Sequence, residues 1–230
     1  MALKYYNKAC KLGDEWGCEK VGDIYYYGIG VEKNDKLALD YYNKGCDSFN
    51  DRSCYKYKKV KIYPKPFGLK LGYSTKSEFS TILKKKNWVI KTKGYKIIKD
   101  NISSPNVYGY FIENINLKNL KIAKFWFYKD TLMQITYILY DDMNKSTFKS
   151  YYDKLKAKYG KPDKYTEPHL ADGYAEWNFM DIKIKLICPW TSKYAYLIYE
   201  NDYLVKLADK DDQKYYQDYI KKTSKDIEGL

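Results

Sequence analysis

YYNKACKLGDEWGC at residues 5–18 and YYNKGCDSFNDRSC at residues 41–54 are two versions of one phrase, thirty-six residues apart. Each holds a tyrosine pair, Asn-Lys, a small residue and a cysteine, with a second cysteine eight positions on. A period of this length is the mark of a repeat built from one helical hairpin. Around the phrase, residues 2–13 space Leu3, Tyr6 and Cys10 at helical intervals, and residues 37–46 do the same with Leu39, Tyr42 and Cys46. Between them, WGCEKVGDIYYYG (16–28) reads as a second kind of helix with Cys18, Val21 and Tyr25 on one stripe. GIG (28–30) breaks it, and Asn34 or Asp35 is placed to cap the next helix. The unit is helix A, a glycine turn, helix B and a short loop. A further helix A begins at Cys54 and is expected to lapse through YKYKKVKIYP.

Composition sets the outer bounds. A chain of 230 residues that is 45% hydrophobic has room for one large domain or two small ones and is not wholly disordered. No apolar run approaches the roughly 18 residues that cross a bilayer, so no membrane span is expected. MALKYYNKAC has no apolar core of a signal peptide, so no export signal is visible in the chain. The net charge of +13 invites an acidic partner, yet the chain holds one arginine, Arg52. Bidentate reading of bases and phosphates depends largely on guanidinium groups. The lysines are also spread throughout, apart from clusters such as LKKKNW (83–88), so a basic nucleic-acid binder ranks last among the readings.

The pattern G-x-x-Y-x-x-G-x-G-V, then A-x-x-Y-Y-x-K, a small residue and Cys, resembles a Sel1-like repeat. It is carried by Gly22, Tyr25, Gly28, Gly30, Val31, Ala38, Tyr41, Tyr42, Lys44, Gly45 and Cys46. The cysteine placement resembles the cysteine-rich proteins of Helicobacter in particular, secreted relatives in which a disulfide staples each repeat. The resemblance covers residues 1–59, about one and a half repeats, and starts mid-unit, which predicts further repeats upstream. It implies TPR-like helix hairpins and a protein or peptide partner. It also implies disulfides Cys10–Cys18 and Cys46–Cys54, hence a periplasmic or secreted location. The plainer alternative is two pairs of small buried thiols in a reducing compartment. Each bridge would close about nine residues and stabilise by about 2.5 kcal/mol on the loop-entropy estimate.

KIYPKPFG (61–68) reads as a linker, within a boundary region at 60–68, because its prolines and glycine end the helix. Residues 67–205 then show helix-then-strands twice over. STKSEFSTILKKK (74–86) is a helix capped by Ser74 or Thr75, and NKSTFKSYYDKLKAKYGKP (144–162) a helix with Phe148, Tyr152, Leu155 and Tyr159 as its stripe. Strands follow each, with tight turns expected at Lys129-Asp130 and Met180-Asp181. The expected fold is therefore an α-solenoid segment followed by an α+β domain, one antiparallel sheet with two helices on one face. Residues 206–230 are expected to form a polar tail or a short docked helix, with Tyr215, Tyr216, Tyr219 and Ile220 as a weak stripe.

Few residues offer chemistry. No cofactor fingerprint is present, and the cysteine spacing does not suit a metal site, so no cofactor and no metal are expected. Cys188, in KLICPW, reads as a buried inert thiol, and His169, the single histidine, lies in a loop. The family resemblance adds one enzymatic alternative, a β-lactam-binding or hydrolysing protein, since some cysteine-rich relatives carry that label. Serine β-lactamases place a lysine one helical turn after the nucleophile. Ser-x-x-Lys occurs here at Ser53–Lys56 and Ser146–Lys149, no more often than the serine and lysine content produces by chance. Ser146 and Lys149 are the weak catalytic candidates, and no Ser-Asp-Asn accompanies them. The preferred reading is an exported, disulfide-stapled interaction protein without catalysis, with Trp16, Tyr26 and Tyr27 as candidate contact residues off the main stripe.

Overall fold

The computed structural model describes residues 2–169 and 171–228, and side chains as far as residue 224. It divides into two units, residues 1–63 and 64–230.

The first unit is four helices: α1 (Ala2–Lys11), α2 (Glu15–Tyr27), α3 (Asp35–Asp47) and α4 (Asp51–Lys61). Their starts repeat as the sequence does. The side chains of Asp14, Asn34 and Asn50 accept from the backbone N–H of Gly17, Leu37 and Ser53, satisfying donors that a helix start leaves open. Gly28 stops α2 in the left-handed region, φ 68°, where a β-carbon is unfavourable. The last helix does not lapse: α4 runs through YKYKKVK to Lys61, with Val60 buried. Lys58 and Lys61 are exposed, and an exposed charged face does not break a helix. Val21, Ile24, Tyr26, Ala38 and Tyr42 form the interior. A β-carbon on Gly22 would lie 2.5 Å from the Tyr42 ring, so that glycine is what lets the ring lie flat on α2.

The second unit opens with a 3-10 turn at Pro66–Gly68 and α5 (Lys76–Lys86), capped by Thr75 and Glu78 in a reciprocal capping box. Then come β1 (Ile90–Lys99), β2 (Ile102–Ile112), β3 (Leu120–Tyr128) and β4 (Thr131–Tyr140). After α6 (Ser146–Tyr159) follow β5 (Lys164–Thr166), β6 (Gly173–Phe179), β7 (Ile182–Cys188) and β8 (Tyr194–Asn201). Two-residue turns at Lys129-Asp130 and Met180-Asp181 join β3 to β4 and β6 to β7. All neighbours are antiparallel, in the order β1-β2-β3-β4-β8-β7-β6-β5. Each half is thus a helix followed by a four-stranded meander, and the halves join where their last strands, β4 and β8, pair.

Register shows which side chains share a face. Phe125 opposes Ile135, Ile135 opposes Tyr199, Tyr199 opposes Ile184 and Ile184 opposes Trp177. Both half-helices cover that face, as the amphipathic stripes require. Phe79 of α5 packs 4.7 Å from Phe125, and Tyr152 and Tyr159 of α6 lie 6.1 and 5.2 Å from Trp177 and Phe179.

The C-terminal expectation needs correction. Residues 206–228 are not a polar tail or short helix but most of α7 (Asp202–Glu228), twenty-seven residues long. Its first turns carry Leu204, Val205, Leu207 and Ala208, which pack with Val107, Tyr128 and Met133 on the opposite face of the sheet. That apolar patch anchors the polar sequence that follows it.

Candidate interaction surface and its cross-links

Where helix B passes to the next helix A, the two copies solve one packing problem in mirrored ways. Cys10 and Cys18 stand at disulfide distance with Cα atoms 4.5 Å apart, and Cys46 and Cys54 with Cα atoms 4.4 Å apart. Beside each pair the helices cross on a small residue. A β-carbon on Gly17 would sit 2.8 Å from the Ala9 β-carbon, and one on Gly45 would sit 2.4 Å from the Ser53 hydroxyl. One copy places glycine on helix A and the other places it on helix B, so each crossing has room for one small side chain. The Cα separations that suit a disulfide depend on this close approach.

Next to these crossings α2 and α4 share a polar surface. The Lys56 ammonium lies 2.6 Å from Glu19 and 2.7 Å from Asp23, and Arg52 lies 3.8 Å from Glu19. Tyr42 donates to Asp23 at 2.8 Å. Burial, reinforced by Asp23, pushes the Tyr42 phenol well above its ordinary range, so it remains a donor. Glu19 is fully buried, a position a carboxylate holds only when paired. Along α2, Trp16, Lys20, Asp23 and Tyr27 fall at spacings of four, three and four, which is one stripe. Trp16 and Tyr27 are 47% and 51% exposed, with the Lys20 ammonium 5.1 Å from the Trp16 ring.

Tyr26 is not part of that stripe. It is fully buried, with Tyr27 edge-on at 5.0 Å and the Lys33 ammonium 4.3 Å from its ring. One residue along a helix is a rotation of about 100°, enough to turn it from solvent into the core.

In the second unit Ser146 and Lys149 stand in the first turn of α6. The Ser146 hydroxyl donates to Asp142, whose carboxylate that bond holds below the usual aspartate range, and Lys149 is exposed. A depressed carboxylate is a poor base for activating the hydroxyl. The other Ser-x-x-Lys fares similarly, with Ser53 fully buried and Lys56 engaged by Glu19 and Asp23. Cys188 is fully buried against Gly173, and burial pushes its thiol up. His169 is exposed in its loop. Among the described residues no cluster of His, Cys, Asp and Glu suits a metal ion, and no helix is long and apolar enough to cross a membrane.

Two features went unseen in the sequence. Lys145 is buried, and its ammonium donates to the carbonyls of Pro189 (3.2 Å) and Ser192 (2.8 Å), pinning the β7–β8 connection to the start of α6. On the face opposite α5 and α6, the buried carboxylates of Glu176 and Glu200 are paired with Lys164 and Lys185. Period-two spacing of charged residues in β6 to β8 was the available signal for the second.

The comparisons divide along the same line as the molecule. The Sel1 repeat profile matches residues 1–14 and 17–48, and the TP0088 domain profile matches residues 65–206. Cytochrome c oxidase assembly factor 7 of Xenopus tropicalis is 50% identical over 38 residues, 16% of each chain. Putative beta-lactamase HcpC of Helicobacter pylori strain J99 is 54% identical over 35 residues, 15% of this chain and 12% of that protein. The chain therefore spans only a small part of either relative. A solved GTP binding regulator from Thermotoga maritima aligns with 66% of this chain and 89% of its own at 10% identity, with a TM-score of 0.24, too loose a likeness to carry any argument. With its profile covering more than half the length, from Lys65 through β8 into the first turn of α7, the chain belongs to the TP0088 domain family and carries Sel1 repeats ahead of that domain.

Proposed function

We propose that the chain is an exported, disulfide-stapled Sel1-repeat protein that acts as a protein-interaction module. The observation that carries this reading is the pair of in-phase cysteine couples at disulfide distance, one at each helix B to helix A crossing. Disulfides persist in oxidising compartments, and two in one register serve a unit with few buried residues. The contact surface is the α2 stripe of Trp16, Lys20 and Tyr27, where two large aromatic side chains stand in solvent beside an ion network that fixes the helices behind them. Exposed aromatics on a rigid support are the usual anchors of protein interfaces.

Photo-crosslinking residues placed at position 16 or 27 in producing cells test the surface. Discrete adducts from these positions, absent from a control at Lys158, are expected. Equal yields from all positions would overturn the assignment. The β-lactam reading draws on the printed name of HcpC alone. A chromogenic cephalosporin assay on wild type and Ser146→Ala addresses it, and turnover abolished by the substitution would revive it.

A further inference from the structure

On the helix-covered face of the sheet, between α6 and the Pro66–Gly68 turn, packing leaves a cavity of about 230 Å³. Tyr137, Leu197, Tyr199, Tyr151 and Leu155 wall it, all buried, and Phe67 closes one side. Phe67 holds φ 56°, a left-handed conformation costly for a residue with a β-carbon. Edge-on packing on Trp88 at 4.7 Å and Tyr137 at 6.2 Å secures it there. The wall is therefore fixed by its neighbours.

The polar groups of this cavity are unequal. Tyr151 donates to the Lys118 carbonyl at 2.8 Å. The Tyr137 hydroxyl also lines the cavity and makes no hydrogen bond to protein among the described residues, so it is a donor available to an occupant. Lys154 and Lys158, one turn apart on α6, line the same cavity from exposed positions. Neither is ion-paired with a carboxylate among the described residues, in a protein where Lys56, Lys96 and Lys183 all are.

We infer that this cavity is a binding site for a small organic acid, whose apolar body lies among the tyrosines and leucines and whose carboxylate meets Lys154 and Lys158. An aromatic and aliphatic chamber with two cations at its edge favours an amphipathic anion over a neutral or cationic molecule of the same shape. The volume is below the roughly 300–1,000 Å³ of sites for drug-sized ligands, which limits the occupant to about the size of a phenylpropionic acid. All of its lining residues belong to the second unit.

The test uses the full chain and 3-phenylpropionate, followed by NMR on leucine methyl groups, with 3-phenylpropanamide as the neutral isostere and 2-phenylethylamine as a cationic analogue. Saturable shifts at Leu155 and Leu197 are expected with the acid. Affinity should fall about tenfold in a Lys154→Gln/Lys158→Gln variant, the size of one charge-assisted hydrogen bond. Both lysines are exposed, so the two substitutions should leave the fold intact, which the unchanged amide spectrum of the variant would show. The amide and the amine should bind at least as weakly as the acid binds the variant. Absence of saturation, equal binding of all three probes, or an affinity indifferent to the two lysines would overturn the inference.

Discussion

The two units of this chain reach order by different means. Residues 64–230 bury a continuous aromatic and aliphatic layer: Phe79, Phe125, Phe127, Phe148, Trp177 and Phe179 are each at most 1% exposed. Residues 1–63 bury few apolar side chains and add a buried carboxylate, two cysteine couples and two crossings at the limit of helix approach. A small unit cannot gain enough from apolar burial alone. Cross-links and steric fit therefore matter in proportion as the core shrinks.

That contrast can be broken at its strongest point first. Trp177 is fully buried and its indole N–H donates to the Gly160 carbonyl at 2.8 Å. Trp177→Ala should cost the second unit about 3–5 kcal/mol. Hydrogen exchange read by mass spectrometry should show lost protection across residues 64–230 and none lost across residues 1–63. Replacing Cys46 and Cys54 together by serine should do the reverse, costing the first unit about 2–3 kcal/mol and leaving sheet peptides unchanged.

A subtler substitution probes the crossings. Gly45→Ala should destabilise the first unit by about 1–3 kcal/mol, because the new methyl meets the Ser53 hydroxyl. Adding Ser53→Gly should restore much of the loss, since the pair then reproduces the Ala9–Gly17 arrangement of the first copy. Failure of the second change to rescue the first would show that the copies are not equivalent. Thermal or denaturant unfolding followed by exchange in residues 35–61 reads both.

The smallest effect is electrostatic and belongs to the second unit. Lys183 at 2.7 Å and then Lys206 at 2.7 Å hold the Asp202 carboxyl below the usual aspartate range. A carboxylate depressed on folding contributes stability that is present above its unfolded value of about 3.9 and is lost as pH falls through the lower folded value. Denaturation of Asp202→Asn across acid pH should therefore show a shallower decline than wild type, with lower stability at neutral pH.

The architecture was legible where residue spacing alone determines it. The thirty-six-residue phase of the cysteines marked the helical hairpins, and alternation in strands such as Ile135, Tyr137 and Leu139 marked the sheet. The rest depended on information spacing does not hold. Tyr25, Tyr26 and Tyr27 are identical in type, and only the rotation of α2 decides that Tyr26 is interior and Tyr27 exposed. Lys145 is buried against residue type because two carbonyls forty-four and forty-seven positions away receive its ammonium. The start of α7 does not stand out in the sequence because its apolar patch is barely one and a half turns long. The acid-sized cavity joins Phe67, Tyr137, Leu155 and Leu197, which no local pattern connects.

Counting free thiols shows whether the repeats are stapled. Protein purified without reductant, then fully denatured and treated with a thiol-reactive reagent, should yield one free thiol, that of Cys188. Five free thiols would mean that neither cysteine couple is bridged.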